Sequence, residues 1–192
     1  MMKTRDIDIR MSLHHVLKNE HLNEPDTLIL DELALCQGDA RIDVAVVNGT
    51  MNGYEIKSES DTLERLPKQS EVYNKVFDTI TILTANRFID ELTDIIPEWW
   101  GVTQVEMDND GLIYFFPIRE AMQNPCIDRY ALAQLLWKEE ALHLLKKRDL
   151  HKGYLSKPRT VLWEAISENI SLSDLQNEVR NYLKSRKRWR VQ

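Results

Sequence analysis

Apolar residues in the first twenty positions recur at helical spacing. Ile9, Leu13, Val16 and Leu17 fall on one stripe, so a helix is expected over 5–19. Asn23-Glu24-Pro25-Asp26 breaks the pattern. Leu28 to Leu35 then reads as a strand, Gln37-Gly38-Asp39 as a turn, and Arg41 to Val47 as a second, β-branched strand. Asn48-Gly49 is a hairpin signal, because a left-handed turn favours Asn and Gly, and Asn52-Gly53 can add a bulge. The third strand runs from Gly53 to Ser58. A helix is expected over 61–78, carrying Leu63, Leu66, Val72, Val76 and Phe77, and kinked or split by Pro67.

Thr79 to Thr84 reads as a buried strand, and Asn86 to Ile96 as an amphipathic helix stopped by Pro97. Gly101–Met107 and Leu112–Phe116 form a second hairpin, closed by Asp108-Asn109-Asp110-Gly111. Beyond Asn124-Pro125 the pattern is helical throughout, over about 128–148, 158–168 and 173–188. Ser173 and Gln176 have capping-box spacing for the last helix. The expected class is α/β: a mixed sheet flanked by helices, with an all-helical C-terminal extension. The expected division is a core over 1–123 and an extension over 124–192 with a basic C-terminal tail, since domains typically run to ~100–150 residues.

Composition narrows this little. No apolar run in the 192 residues approaches the ~20 needed to span a bilayer. Met1-Met2-Lys3-Thr4-Arg5-Asp6 leads into charged residues, not an apolar signal core. Cys36 and Cys126 form no C-x-x-C pair, so reduced thiols in the cytoplasm are expected. The net charge of −6 speaks against a non-specific nucleic-acid coat. The charge is uneven, however. Lys146, Lys147, Arg148, Lys152, Lys157 and Arg159 make one basic stretch, and Lys184-Ser185-Arg186-Lys187-Arg188-Trp189-Arg190 makes another.

The chemistry-bearing positions lie on the first hairpin and the helix after it. Glu55 and Lys57 are two apart on a strand and share a face. A three-residue loop over Asn48-Gly49-Thr50 sets Val47 opposite Met51, and counting back sets Asp43 opposite Glu55. Directly opposed Cβ atoms lie about 4.5–5.5 Å apart. Two carboxylates that close repel unless something positive intervenes. A Mg²⁺ or Mn²⁺ ion would serve, with Lys57 beside it to orient a water or steady charge on phosphorus. Gln69 and Tyr73, four apart on the next helix, would lie over the same strand end. The plain alternative is an exposed, salt-bridged sheet face.

Asp43, Glu55-Ile56-Lys57 and the Q-x-x-x-Y of Gln69 to Tyr73 resemble the PD-(D/E)XK nuclease superfamily. The Q-x-x-x-Y form is typical of its RecB-like and Cas4-like branches. The wider stretch looks like an uncharacterised group of small bacterial proteins within it. The resemblance covers about residues 28–85 and implies a restriction-endonuclease-like sheet. It also implies metal-dependent hydrolysis of phosphodiesters, with DNA the favoured substrate, in repair, restriction or phage defence. Asp43 and Glu55 would be metal ligands, and Lys57 the water-orienting group. The usual Pro before the first acid is Ile42 here.

A further acid would come from Glu20, Glu24 or Glu32. Strand alternation puts Asp31 and Glu32 on opposite faces, so only one of them can join. Asp61 or Thr62 would cap the following helix, and Arg65 could reach a phosphate. Lys157, Arg159, Arg186, Lys187, Arg188 and Arg190 are the remaining candidates for nucleic-acid contact. Two rival readings are a related fold that binds nucleic acid or a protein without cutting, and a toxin-system component. A homodimer would suit cutting of both strands.

Overall fold

In a computed structural model, residues 4–187 are described. Six strands form one sheet in the order β1-β2-β3-β4-β5-β6. They are β1 (Leu28–Leu35), β2 (Ala40–Val47), β3 (Met51–Lys57), β4 (Thr79–Ala85), β5 (Gly101–Met107) and β6 (Ile113–Arg119). The central pairs β3–β4 and β4–β5 are parallel, and the outer pairs are antiparallel. The sheet is therefore mixed, and it is flanked by helices.

α1 (Asp6–Glu20) covers one face. Its Ile9, Leu13 and Leu17 pack on Val44, Val46, Ile56, Leu83 and Val105. The other face carries α2 (Leu66–Tyr73), the four-residue α3 (Ile89–Leu92), and four C-terminal helices. These are α4 (Arg129–Ala133), α5 (Lys138–Lys147), α6 (Arg159–Asn169) and α7 (Leu172–Ser185). One apolar cluster runs from Ile42, Ile80 and Ile82 of the sheet through Tyr73 and Trp100 to Leu144, Trp163 and Val179.

The hairpin has the expected register, with Val47 opposite Met51. Asn48 stabilises its turn by accepting from the Thr50 backbone N–H at 3.0 Å. Three expectations fail for local reasons. Residues 61–65 are not helical, and Pro67 stands in the first turn of α2, where its missing N–H costs nothing. Asp61 does not cap α2 but accepts from the Ser58 N–H at 2.8 Å. The last helix is capped by Ser171, which accepts from the Asp174 N–H, and not by Ser173.

The alternation of two strands also reverses side. Ile42 and Val44 are two apart on β2, yet they pack in opposite clusters. Opposite them in β1, Glu32 has φ 53°, a left-handed value. Asp31 and Glu32 consequently both reach α1. Asp31 meets His14 at 2.6 Å and Glu32 meets Arg10 at 2.6 Å. The expected opposite placement of these two acids is therefore corrected.

Candidate functional site

The β2–β3 ladder stops at Val44–Tyr54, one residue short of Asp43 and Glu55. Beyond that point β3 stays with β4 as far as Lys57, and it is no longer paired with β2. Side chains fill the gap. Asp43 Oδ2 accepts the Ile56 backbone N–H at 2.7 Å, taking the place of a ladder bond. The Tyr73 hydroxyl comes in from α2 on the other side. It lies 2.7 Å from the Arg41 carbonyl and 2.8 Å from Glu55 Oε2, with one proton shared between them. Gln69 Nε2 donates to the same hydroxyl at 3.1 Å.

Glu55 and Lys57 are both buried. Lys57 Nζ donates to Glu55 Oε1 at 2.5 Å and to Gln69 Oε1 at 3.2 Å. Asp43, Glu55, Lys57, Gln69 and Tyr73 thus meet in one place. Burial pushes the Glu55 carboxyl up, against the pull of Lys57. Burial and the Glu55 charge also raise Asp43, to about 7. The Tyr73 hydroxyl is raised by burial and by Glu55.

Arg10 went unremarked in the sequence and organises the rest. Its guanidinium reaches Asp6 at 3.0 Å, Glu32 at 2.6 Å and Asp43 at 3.2 Å. One cation serves three carboxylates, which explains why burial outweighs its influence on Asp43. The legible signal was Asp6-x-x-x-Arg10-x-x-x-His14, one polar stripe at helical spacing on α1.

Each oxygen of the Asp43 and Glu55 carboxylates has a protein donor against it. Among the described residues, no three His, Cys, Asp or Glu side chains are grouped so as to hold a metal ion. A Mg²⁺ or Mn²⁺ ion at this point would have to displace Arg10 or Lys57. Glu20 lies elsewhere, near Tyr54, whose hydroxyl is raised first by burial and then by the Glu20 charge. Glu24 accepts from Thr27 at 3.1 Å and meets His21 at 2.8 Å.

On the outer side of β1 a cleft of about 550 Å³ separates the sheet edge from the C-terminal helices. Leu30 to Ala34 form one wall, and Gln134 to Glu139 with Trp163 form the other. Arg41, Lys138 and Arg159 also line it. Arg159 spans the two walls by donating to Gln37 Oε1 at 3.0 Å, and it lies 5.1 Å from the Trp163 ring centre. Asp31 and Glu32 in the same cleft already face His14 and Arg10. The cleft therefore shares Glu32 with the buried cluster.

The other basic candidates are scattered. Arg65 is exposed just ahead of α2, and Lys157 is exposed two residues before Arg159. Arg186 is buried against Glu140 at 2.6 Å and stacks 4.2 Å from the Trp137 ring centre. Lys187 is exposed. Arg188 and Arg190 lie outside the described residues. No helix among the described residues is long and apolar enough to cross a membrane.

A family model described as Bacteriophage P4 protein cII matches residues 2–190. Protein cII of Enterobacteria phage P4 is 25% identical over 167 residues, covering 84% of this chain. The chain spans 60% of the length of that relative. No solved structure matches. The resemblance to the PD-(D/E)XK superfamily is corrected accordingly. The match over nearly the whole chain is to the cII family, and no nuclease family is matched. The expected nuclease, hydrolase and metal-dependent phosphodiesterase activity falls with it.

Proposed function

We propose that this chain, which belongs to the bacteriophage P4 protein cII family, works by binding, and that it takes a nucleic-acid strand in the cleft beside β1. The observation carrying this reading is the placement of Arg159. It is the first residue of α6, whose first turn holds no acid and whose N-cap, Pro158, offers no side-chain acceptor. A cation at a helix N-terminus adds to the positive end of the helix dipole, so an anion there is favoured. Among the described residues Arg159 has no ion pair, and its polar partner is the neutral Gln37. Arg41 and Lys138 stand on the same cleft.

The opening suits one or two nucleotides of a strand, since ligand clefts of about 300–1,000 Å³ hold molecules of that size. Lys157 and Lys187 are exposed close in sequence to the lining residues Arg159 and Arg186 and supply phosphate contacts on either side. The cluster around Asp43 and Glu55 has a different part. It fixes α1 and α2 to the split between β2 and β3 and so holds the cleft wall at Glu32 and Arg41. The cytoplasm is the compartment this reading needs, and the free thiols of Cys36 and Cys126 support it.

The test is fluorescence anisotropy of labelled single strands of about 12 nucleotides, DNA and RNA, beside a duplex of the same sequence. Affinity is expected to fall steeply with salt, and Arg159→Glu is expected to weaken it by about tenfold or more. Binding indifferent to both salt and Arg159→Glu would sink the reading.

A further inference from the structure

The geometry points to a second interaction surface, at the far edge of the sheet, that docks a basic amphipathic segment of a partner protein. It rests on observations separate from the cleft. β6 is an edge strand. Its Ile113 and Phe115 pack inward with the α1 cluster. Tyr114 and Phe116 alternate with them and therefore face the opposite side, where both are 46% exposed. Leu112, Ile118 and Met122 extend this exposed apolar surface. Contiguous exposure of this kind on a folded chain marks an interaction site.

That side of the sheet is the one the C-terminal helices and α3 cover elsewhere. Val102 on β5 packs there with Leu92 and Ile96. α3 is four residues long, and at β6 the same side is exposed at Tyr114 and Phe116. Gln104 lies directly opposite Phe116, and Glu106 directly opposite Tyr114, so these four share the open face.

The charge on the page selects the occupant. Glu106, Asp108 and Asp110 stand at the hairpin end of the stripe. Asp108 accepts backbone N–H groups of Asp110 and Leu112, each at 2.9 Å, and the Tyr114 hydroxyl at 3.2 Å. Those bonds hold its carboxyl below the usual range, so it stays ionised. A second copy laid face to face would set acids against acids. A partner bearing Lys or Arg beside apolar anchors meets both features. Strand addition is disfavoured because Pro117, in the middle of β6, has no N–H to offer. A helix laying its apolar side over Tyr114 and Phe116 satisfies the geometry.

The experiment uses the full chain and two labelled helical peptides of about 18 residues. One has Leu on one face and Lys on the other; the second has Glu in place of Lys. The Lys peptide is expected to bind at least about tenfold more tightly, and Phe116→Asp or Ile118→Asp to abolish the difference with unchanged melting temperature. Equal affinity for the two peptides would overturn the proposal. So would binding of the Lys peptide that survives both substitutions, or a concentration-dependent dimer in sedimentation that Phe116→Asp dissolves. Single-strand binding at the cleft is read separately and is expected to be unaffected by either substitution.

Discussion

Glu32 and Asp43 face one another across the β1–β2 ladder, and a single guanidinium from α1 holds both. Their neighbours Asp31–Val44 and Leu33–Ile42 are paired on either side, so the register passes straight through them. Two acids in that position repel unless a cation lies between them or one of them keeps its proton. The left-handed backbone at Glu32 turns its side chain to where Arg10 can reach it. Sequence position 32 is thus strained in order to join β1 to α1.

Removing Arg10 should expose that debt. Arg10→Ala leaves Asp6, Glu32 and Asp43 without their shared partner. Breaking such a part-buried arrangement is expected to cost about 2–4 kcal/mol in urea unfolding. Adding Glu32→Gln and Asp43→Asn to the variant should restore part of the loss. Hydrogen exchange should quicken first at the amides of α1, whose Ile9, Leu13 and Leu17 hold its only apolar face against the sheet. A loss below about 0.5 kcal/mol would show the network to be an ordinary surface ion pair.

Lys57 and Glu55 make a sharper case, because both are buried. Lys57→Met alone leaves the Glu55 carboxylate without its cation and should cost about 3–5 kcal/mol. Lys57→Met with Glu55→Gln should cost clearly less than that single change. Tyr73→Phe removes only the hydroxyl shared by Arg41 and Glu55 and is expected to cost about 1–2 kcal/mol. A double variant as unstable as Lys57→Met would contradict the pairing.

Asp43 gives a pH signature with a definite sign. Its folded pKa, raised by burial and Glu55 to about 7, lies above the ordinary carboxylate value near 3.8. Between those values the folded state binds a proton that the unfolded chain has released. Stability from this group is therefore greatest below about 4 and is lost as pH rises to about 7. The other carboxylates titrate at the same time, so the useful quantity is a difference. The unfolding free energy of the wild type minus that of Asp43→Asn should fall from about pH 5 to about pH 8. A difference that is flat or rising over that window would show that Arg10 dominates Asp43 after all.

Much of the sheet was legible because strands announce themselves by local pattern. β1 begins and ends at the expected residues, and the Asn48-Gly49 turn sets the β2–β3 register that brings Asp43 towards Glu55. Gln69 and Tyr73 follow from helical spacing alone. What was not legible depends on tertiary context. Nothing local requires Glu32 to be left-handed; its partner Arg10 lies 22 positions earlier, on α1, where the alternation of β1 cannot reveal it. The helix expected over 86–96 shortens to a 3₁₀ turn and α3, and the exposure of Tyr114 and Phe116 on β6 was equally hidden from local pattern. The motif residues do lie side by side, with Asp43 on the Ile56 N–H and Glu55 bonded to Lys57 and Tyr73. Their assignment to catalysis failed, since fold and residue types do not name a function.

The attachment of α7 to the sheet offers a last test. Asp78 is buried, and its carboxylate accepts the Met51 backbone N–H at 2.7 Å, Gln176 Nε2 at 2.7 Å and Arg180 Nη1 at 3.4 Å. Gln176 and Arg180 lie four apart on α7, so one acid collects two donors from one helix face. Asp78→Ala would orphan the Met51 N–H and both α7 donors, at an expected cost of about 3 kcal/mol. Gln176→Ala, which leaves Asp78 with two partners, should cost about 1 kcal/mol. Because Leu175, Val179 and Leu183 also anchor α7 in the core, the helix should stay formed but exchange its amides faster. If Asp78→Ala leaves the exchange of α7 unchanged, apolar burial alone holds the helix, and the polar contact is incidental.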